Sequence, residues 1–324
     1  MTSTLKMGKA YVYNKHFKGL PTLSDFKIVE ETLNKLNDGE YLAEAKYIRI
    51  APSALMTSSV IKLGTTPKAI QLAKIIESKN KDFAVGKYVI GNFGWQTHTI
   101  VQANPITAHE LQPYLLPDIG DLPKSLALGV LGTPGNAASF GILDVCKAKE
   151  GEVIVISSAA GVVGSCVGQI AKIKGCKVIG ITSSKEKCLW LKEIGFDHCI
   201  NYKTDDIKKK LEEYAPEGVD CYFDNVGGDI SSSVIYQMKT YGRVCICGAT
   251  ALYYNENMKA PEVQSPLKVK MAKMQGINVT SWADYFLKGI NQNLEWLQEN
   301  KLRYKETIID NFNNVPTSFI DVLK

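Results

Sequence analysis

The spacing of apolar residues changes character near residue 122 and divides the chain into two parts. Before that point, apolar and polar positions alternate in short runs, separated by turn sequences such as Asn37-Asp38-Gly39 and Asn80-Lys81-Asp82. This alternation predicts half-buried strands joined by tight turns. The predicted strands span residues 7–14, 26–30, 40–50, 68–78, 88–92 and 94–100. Residues 1–122 are therefore predicted to form a β-rich, barrel-like domain.

From residue 123 onward, continuously apolar strands alternate with segments of helical periodicity. The predicted strands are 153–156, 177–181, 199–202, 219–224 and 243–247. The predicted helices are 125–131, 136–146, 165–174, 186–194, 204–214 and 229–238, with a break at Thr133-Pro134-Gly135. This alternation predicts an α/β fold with a doubly wound parallel sheet, a Rossmann domain over residues 123–299. Ligands bind such sheets at the carboxyl ends of the strands, so we expect the turns after Ile156, Ile181, Phe223 and Cys247 to face one ligand.

The last part of the chain is predicted to serve both domains. A strand is expected at 277–282, a helix at 284–300 and a strand at 304–309, and a helical pattern then continues to Lys324. Residues from about 300 to 324 are expected to complete the β-rich domain. Strand 277–282 is expected at the edge of the parallel sheet, where it could pair across a two-fold axis to form a homodimer.

A glycine turn follows the first strand of the parallel sheet. The turn has the pattern Ala159-x-Gly161-x-x-Gly164, between two buried strands and at the start of a helix. In this context Gly161 would let the backbone approach a pyrophosphate, and Gly164 would let the helix start close to the strand. The helix N-terminus would then offer N–H groups to the phosphates. The alternative interpretation is an ordinary turn of small residues without a ligand.

The end of the second strand bears on the choice of dinucleotide. It reads Thr182-Ser183-Ser184-Lys185-Glu186-Lys187, without the strand-end carboxylate that holds a ribose 2′-hydroxyl in NAD sites. Hydroxyl and ammonium groups suit a 2′-phosphate instead, which favours NADPH. Ser184 could also cap the following helix while the lysines are solvated, and the two interpretations are compatible.

Composition and charge exclude several classes of function. The chain has 324 residues, of which 45% are hydrophobic and 22% charged, and a net charge of +5 without a long basic run, so we expect no nucleic-acid binding. It has no signal-like or membrane-length apolar segment, so we expect no membrane association and a cytoplasmic location. The eight cysteines and four histidines lack metal-ligand spacing, so we expect buried thiols, no disulfide and no zinc site.

Several longer sequence segments resemble those of one known family. They include Asn201-Tyr202-Lys203-Thr204 and Tyr222-Phe223-Asp224-Asn225-Val226-Gly227-Gly228. The others are residues 15–17, 21–26, 125–129, 159–180, 195–197 and 246–249. Together they resemble the zinc-independent medium-chain dehydrogenase/reductases, in particular the prostaglandin reductase and alkenal/one oxidoreductase family. The resemblance implies a GroES-like first domain and a cytosolic, homodimeric, NADPH-dependent reductase of α,β-unsaturated ketones and aldehydes.

The resemblance also implies a set of site residues. Residues 162–165 would lie at the pyrophosphate, Lys187 at the 2′-phosphate, Tyr202 at the adenosine and Asn225 at the nicotinamide ribose. The full set of implied cofactor contacts is Gly161, Val162, Val163, Gly164, Ser165, Lys187, Tyr202, Asn225, Cys247, Gly248, Ala249, Thr250, Tyr253, Tyr254, Ile277, Asn278 and Val279. Tyr254 is the candidate catalytic residue, donating a hydrogen bond to the enolate oxygen; the alternative is a tyrosine packed on the surface. For His98 a structural role is favoured over catalysis.

The sequence departs from the family pattern at several places. The family's Val-Asp-Pro-Tyr-Met-Arg segment is replaced by residues 50–56, its Gly-Gln pair by Ala69-Ile70 and its Thr-Ala-Tyr by Ala137-Ala138-Ser139. A C-terminal Gly-Asp-Asn-Leu-Gly-Lys is absent. Two alternatives to enone reduction therefore stay open: a quinone oxidoreductase of the same superfamily, and a cofactor-binding protein with little catalytic activity.

Overall fold

The chain folds into two compact units. A computed structural model describes residues 6–52, 62–102, 111–253 and 263–323. One unit comprises Met1–Leu128 together with Thr307–Lys324, and the other comprises Gly129–Glu306.

The first unit is built from antiparallel strands. Its described strands are β1 Met7–Tyr13, β2 Phe26–Thr32, β3 Glu40–Ile48, β4 Ile70–Ser78, β5 Tyr88–Asn92, β6 His98–Gln102 and β7 Tyr114–Leu115. β1 pairs with β2, and the remaining strands form a sheet in the order β6-β3-β4-β5-β7. Alternate residues of β3 and β4, such as Tyr41, Ala43, Ala73 and Ile75, form its core, as expected for strands with one buried face.

The C-terminal segment packs on this unit through an aromatic cluster. A helix spans Val315–Val322. The ring of its Phe319 lies 5.2 Å from the ring of Trp95 and 6.2 Å from that of Phe26, measured between centroids. The predicted strand at 304–309 is wrong, because these residues are exposed and pair with no strand among the described residues.

The second unit contains a parallel sheet covered by helices. Its described strands are β8 Val153–Ser157, β9 Lys177–Thr182, β10 His198–Asn201, β11 Val219–Asp224, β12 Met238–Ile246 and β13 Lys273–Gly276. Its helices are α1 Thr133–Phe140, α2 Val162–Ile173, α3 Lys185–Glu193, α4 Ile207–Tyr214, α5 Gly228–Ile235, α6 Gln264–Lys270 and α7 Phe286–Gln298. The helix Val315–Val322 of the first unit is then α8.

The strand order confirms the predicted Rossmann fold. The described strands are all parallel and follow the order β10-β9-β8-β11-β12-β13. Successive strands are added on one side of β8 up to β10, and from β11 on they are added on its other side. A reversal of this kind leaves a crevice at the carboxyl ends of the two strands. Val155 and Ile179 of the sheet share a buried cluster with Leu211 of α4 and Val234 of α5.

Several predicted boundaries are wrong for local reasons. Pro134 does not break a helix but lies in the first turn of α1, where its missing N–H group would have no partner in any case. Lys124–Leu128 forms a 3₁₀ helix rather than the start of a longer helix. The cap of α4 is Asp206, whose carboxylate accepts from the Lys209 N–H group at 3.2 Å, and not Thr204.

The strand predicted at 277–282 is also wrong. The edge strand is β13, which ends at Gly276, and Val279–Tyr285 forms a 3₁₀ helix. The Asn278 side chain caps that helix by accepting from the Thr280 N–H group at 3.2 Å. Such a local hydrogen bond competes with extension of the sheet. The proposed dimer strand therefore does not exist at 277–282.

The expectation of free thiols fails for one pair of cysteines. Cys188 of α3 and Cys199 of β10 are joined in a disulfide, with their Cα atoms 5.5 Å apart. This pairing arises because α3 packs beside β10, which the spacing of the cysteines did not reveal. Cys146, Cys166, Cys176, Cys221 and Cys245 are buried thiols, as predicted.

The described parts of the chain contain no helix that is both long enough and apolar enough to cross a membrane.

Candidate cofactor site

The glycine turn after β8 brings the start of α2 close to the strand. A Cβ atom added at Gly164 would lie 2.6 Å from the carbonyl oxygen of Ser158 and 2.7 Å from the Cα of Ala159. No larger residue fits without moving the backbone, which confirms the packing role predicted for Gly164. Helix α2 begins here, and its first internal bond runs from the Ser165 N–H group to the Gly161 oxygen at 2.9 Å. The preceding N–H groups have no acceptor within the helix.

Gly161 differs from Gly164 in its surroundings. Its φ of −71° suits any residue, and an added Cβ would lie 3.4 Å from the Ser158 oxygen, an ordinary contact. Neither the backbone conformation nor the packing of this chain requires glycine at this position. Its predicted role, close approach of a pyrophosphate to the N–H groups at the start of α2, stays a prediction.

Hydroxyl and ammonium groups meet between β9 and α3. The Nζ atom of Lys187 donates to Oγ of Ser183 at 3.2 Å, and Oγ of Ser184 accepts from the Lys187 N–H group at 3.2 Å. Ser184 therefore caps α3, as one interpretation of this segment predicted. Binding of a 2′-phosphate by Lys187 is compatible with this cap and stays a prediction. The carboxylate of Glu186 lies 3.9 Å from Nζ of Lys305 and is exposed to solvent.

Tyr202 lies beside this segment. It follows β10, and its N–H group donates to the Thr182 oxygen at the end of β9 at 3.0 Å. Its side chain is largely exposed. The fold thus brings Tyr202, Ser183 and Lys187 to the carboxyl ends of two adjacent strands, where the adenosine end of a dinucleotide would lie.

Asn225 joins the turns after β8 and β11. Its Nδ2 donates to the Ser157 carbonyl oxygen at 2.8 Å, and its backbone N–H group donates to Oγ of Ser157 at 2.9 Å. Because the strand order reverses between these two strands, Asn225 lies at the crevice of the sheet.

The loop after β12 is hydrogen-bonded to the backbone of Asp224 and Asn225. The N–H groups of Cys247 and Gly248 donate to the Asp224 carbonyl oxygen at 2.8 and 3.1 Å. Thr250 donates to the Asn225 oxygen from both its N–H group and its hydroxyl, at 3.3 and 3.2 Å. A Cβ on Gly248 would lie 2.9 Å from that oxygen, so the loop needs glycine there to pack so closely.

The remaining predicted residues fall in three places. The Ile277 N–H group donates to the Ile246 oxygen at 2.9 Å, so residues 277–279 lie where β12 and β13 end. The backbone of Tyr253 belongs to a short 3₁₀ helix, Thr250–Tyr253. Tyr254 lies outside the described residues, and its role stays a prediction.

His98 belongs to the β-rich unit. Its Nδ1 lies 3.0 Å from Oγ1 of Thr97, and burial lowers its pKa.

Comparison with known proteins assigns the chain to a family. A model described as "Zinc-binding dehydrogenase" matches residues 162–292, and one described as "N-terminal domain of oxidoreductase" matches residues 9–108. Prostaglandin reductase 1 of Bos taurus is 43% identical over 319 residues, covering 98% of this chain and 95% of the bovine protein. The chain belongs to the prostaglandin reductase family.

Other members of the wider group are similar over the same length. The NADPH-dependent curcumin reductase of Escherichia coli is 30% identical and covers 94% of this chain and 90% of its own. The crystal structure of CurA from Vibrio vulnificus in complex with NADPH is 30% identical, with a TM-score of 0.89 over 97% of this chain and 95% of that one. The predicted family and fold are thereby confirmed.

The description of one matching family model mentions zinc, so we looked for a zinc site in the described residues of this chain. Among them, no group of three or more His, Cys, Asp or Glu side chains is placed to hold a metal ion.

Sequence reasoning missed one member of this site, Asp224. Its Oδ1 accepts from the hydroxyls of Ser157 at 3.0 Å and Tyr222 at 2.9 Å, and its Oδ2 accepts from the hydroxyl of Ser231. The sequence analysis named Asp224 only as part of a segment that resembles the family, without a role of its own. The available signal was a charged residue that ends an otherwise apolar buried strand, because such a residue needs partners.

Proposed function

We propose that this chain reduces the carbon–carbon double bond of α,β-unsaturated ketones and aldehydes, including oxidised prostaglandins. As a member of its family it is an NADPH-dependent oxidoreductase acting on enones. The observation that carries the proposal is near full-length similarity to a prostaglandin reductase, with Lys187 and Ser183 together at the end of β9. Curcumin, the substrate in the name of another relative, is also a ketone conjugated to a carbon–carbon double bond.

The chemistry is divided between the cofactor and the chain. When bound, NADPH supplies a hydride to the β-carbon of the enone, and a proton then reaches the α-carbon. Lys187 and Ser183 would bind the 2′-phosphate, and the N–H groups at the start of α2 would bind the pyrophosphate. Asn225 would orient the nicotinamide ribose. Tyr254 would donate a hydrogen bond to the carbonyl oxygen as negative charge develops on it.

Loss of reduced nicotinamide absorbance tests this proposal. The purified chain is assayed with a panel of enones, enals and a quinone, with a control lacking acceptor, and with NADPH and NADH in parallel. We expect rapid oxidation of NADPH with enones and enals and much slower oxidation of NADH. Oxidation with the quinone alone would favour a quinone oxidoreductase. NADPH binding without turnover of any acceptor would favour a cofactor-binding protein.

We also propose that the chain forms a homodimer through β13. This strand pairs only with β12 among the described strands, and Lys273 and Gln275 on it are partly or fully exposed. An unpaired edge of this kind can pair with a second copy. Sedimentation at micromolar concentration tests this, and a monomer would contradict it.

A further inference from the structure

The side chain of Asp224 is buried at the carboxyl end of β11, beside the end of β8. Besides its three hydroxyl donors, its Oδ1 accepts from the N–H groups of Val226 and Gly227, each at 3.0 Å. The residue is 4% exposed and forms no ion pair within the described parts of the chain. A buried carboxylate is stabilised there by hydrogen bonds alone, and this requires many donors.

The donors come from separate elements of the fold. Ser157 ends β8, Tyr222 belongs to β11, and Ser231 belongs to α5. Burial raises the pKa of Tyr222 well above its ordinary value, and the charge of Asp224 raises it further, so the phenol keeps its proton and donates. One carboxylate thus fixes the relative positions of two strand ends and a helix.

A neutral side chain would weaken this network. Four of the five donors are on Oδ1, and an asparagine would offer them a neutral oxygen in place of a charged one, with its NH₂ group toward the Ser231 hydroxyl. The turn that follows needs the acceptor as well, since Gly227 has a φ of +77° and its N–H group points back to Asp224. Asp224 therefore sets the path of residues 225–227.

The same network determines the orientation of Asn225. Oγ of Ser157 donates to Asp224 and accepts from the Asn225 N–H group, while the Ser157 carbonyl oxygen accepts from Nδ2 of Asn225. With its NH₂ group directed at Ser157, the side chain presents its Oδ1 to the other side, and no described residue donates to that atom. A ribose hydroxyl is the type of donor that this oxygen can accept.

We propose that Asp224 is a positioning residue for the nicotinamide half of NADPH. It acts through Ser157 and the 225–227 turn, which hold the carboxamide oxygen of Asn225 toward the ribose of the nicotinamide. The inference rests on the proposed cofactor site. Because Asp224 is buried, it would act through these residues and not by touching the cofactor.

The test compares the binding of two ligands that both contain adenosine 2′-phosphate, of which only one also contains the nicotinamide half. In the proposed site NADPH would extend along the crevice to Asn225, whereas adenosine 2′,5′-bisphosphate would reach only the adenosine end at Lys187. Calorimetric titration should show NADPH binding weakened about tenfold in Ser157→Ala, the effect of one lost hydrogen bond. We expect a similar loss in Asp224→Asn, because a neutral oxygen replaces the charged acceptor of the Ser157 hydroxyl and of the 225–227 turn. Binding of the bisphosphate should stay within about twofold of the wild type, because the turns after β9 and β10 are unaffected.

Ser231→Ala is the matched control. It also removes one buried hydroxyl donor to Asp224, but Ser231 has no bond to Asn225 or Ser157 among the described residues. It should lower thermal stability about as much as Ser157→Ala does and change NADPH affinity by less than about twofold. If Asp224→Asn fails to fold, the pair of serine variants still tests the proposal.

Three results would overturn the inference. Equal weakening of NADPH and the bisphosphate would mean a general scaffold role, and so would equal effects of the two serine substitutions. Unchanged NADPH affinity in Ser157→Ala would remove the link to Asn225. A wild-type chain that binds NADPH as expected but reduces no enone would contradict the proposed activity and leave this binding comparison intact.

Discussion

The Nζ atom of Lys187 lies 3.2 Å from Oγ of Ser183, so an ammonium group and a hydroxyl meet where β9 ends and α3 begins. No carboxylate ends β9, since the strand closes with Thr182 and the following residues are serines. An ammonium group and a hydroxyl can both donate to a phosphate, and they lack the two charged acceptor oxygens with which a carboxylate holds the ribose hydroxyls.

Replacing Lys187 by alanine should reduce the preference for NADPH over NADH. We expect the KM for NADPH to rise about tenfold or more and the KM for NADH to stay nearly constant, because only NADPH carries the 2′-phosphate. Steady-state kinetics with both cofactors and one enone measures this. Lys185→Ala, an exposed lysine in the same helical turn, is the control. Equal losses with NADH would contradict the assignment.

Gly161 and Gly164 should respond differently to alanine. Gly164→Ala places a Cβ within 2.7 Å of backbone atoms, so we expect a loss of about 1–3 kcal/mol of unfolding free energy. Gly161→Ala meets only an ordinary contact at 3.4 Å, so the loss should stay below about 1 kcal/mol while NADPH binding weakens. Denaturant unfolding without cofactor and NADPH titration separate the two effects. Strong destabilisation by Gly161→Ala would contradict the ligand role.

The disulfide between Cys188 and Cys199 should stabilise the folded chain. The two residues are 11 positions apart, and closing a loop of this length contributes about 2–3 kcal/mol. We expect a reductant to lower the unfolding free energy of the wild type by this amount and to have no effect on Cys188→Ser. Denaturant unfolding with and without dithiothreitol measures it. Identical wild-type stability in both conditions would show that the pair is not joined in solution.

Replacing Tyr254 by phenylalanine should slow the chemical step. If its hydroxyl stabilises the developing enolate oxygen, kcat should fall about 100-fold while NADPH affinity stays unchanged. Single-turnover kinetics with a saturating enone measures the step directly, and Tyr253→Phe is the neighbouring control. An unchanged rate would remove Tyr254 from the mechanism.

Local patterns were enough to predict the parallel sheet and its ligand face. Strands such as Val153–Ser157 and Val219–Asp224 are short apolar runs, and a strand buried on both faces has that composition wherever it occurs. The role of Gly164 also followed from its position in the turn, because the close approach of α2 to β8 is a local property. The connection rules for such sheets limit the possible strand orders, and the structure shows which one the chain adopts.

The sequence predicted less well where a residue's conformation depends on distant partners. Residues 277–282 have the composition of a strand, but the edge of the sheet is β13, which is held in place by pairing with β12. Cys188 and Cys199 have no recognisable spacing, and they meet only because a helix packs beside a strand.

The sequence by itself determined the fold class, the family and the choice of dinucleotide, because each depends on short segments whose meaning is independent of the rest of the chain. Only the tertiary structure decided what Asp224 does. Its partner Ser157 lies 67 residues away in the chain, and the other donors come from a strand, a turn and a helix. A buried carboxylate takes its function from the donors that surround it, and the fold alone brings those donors together.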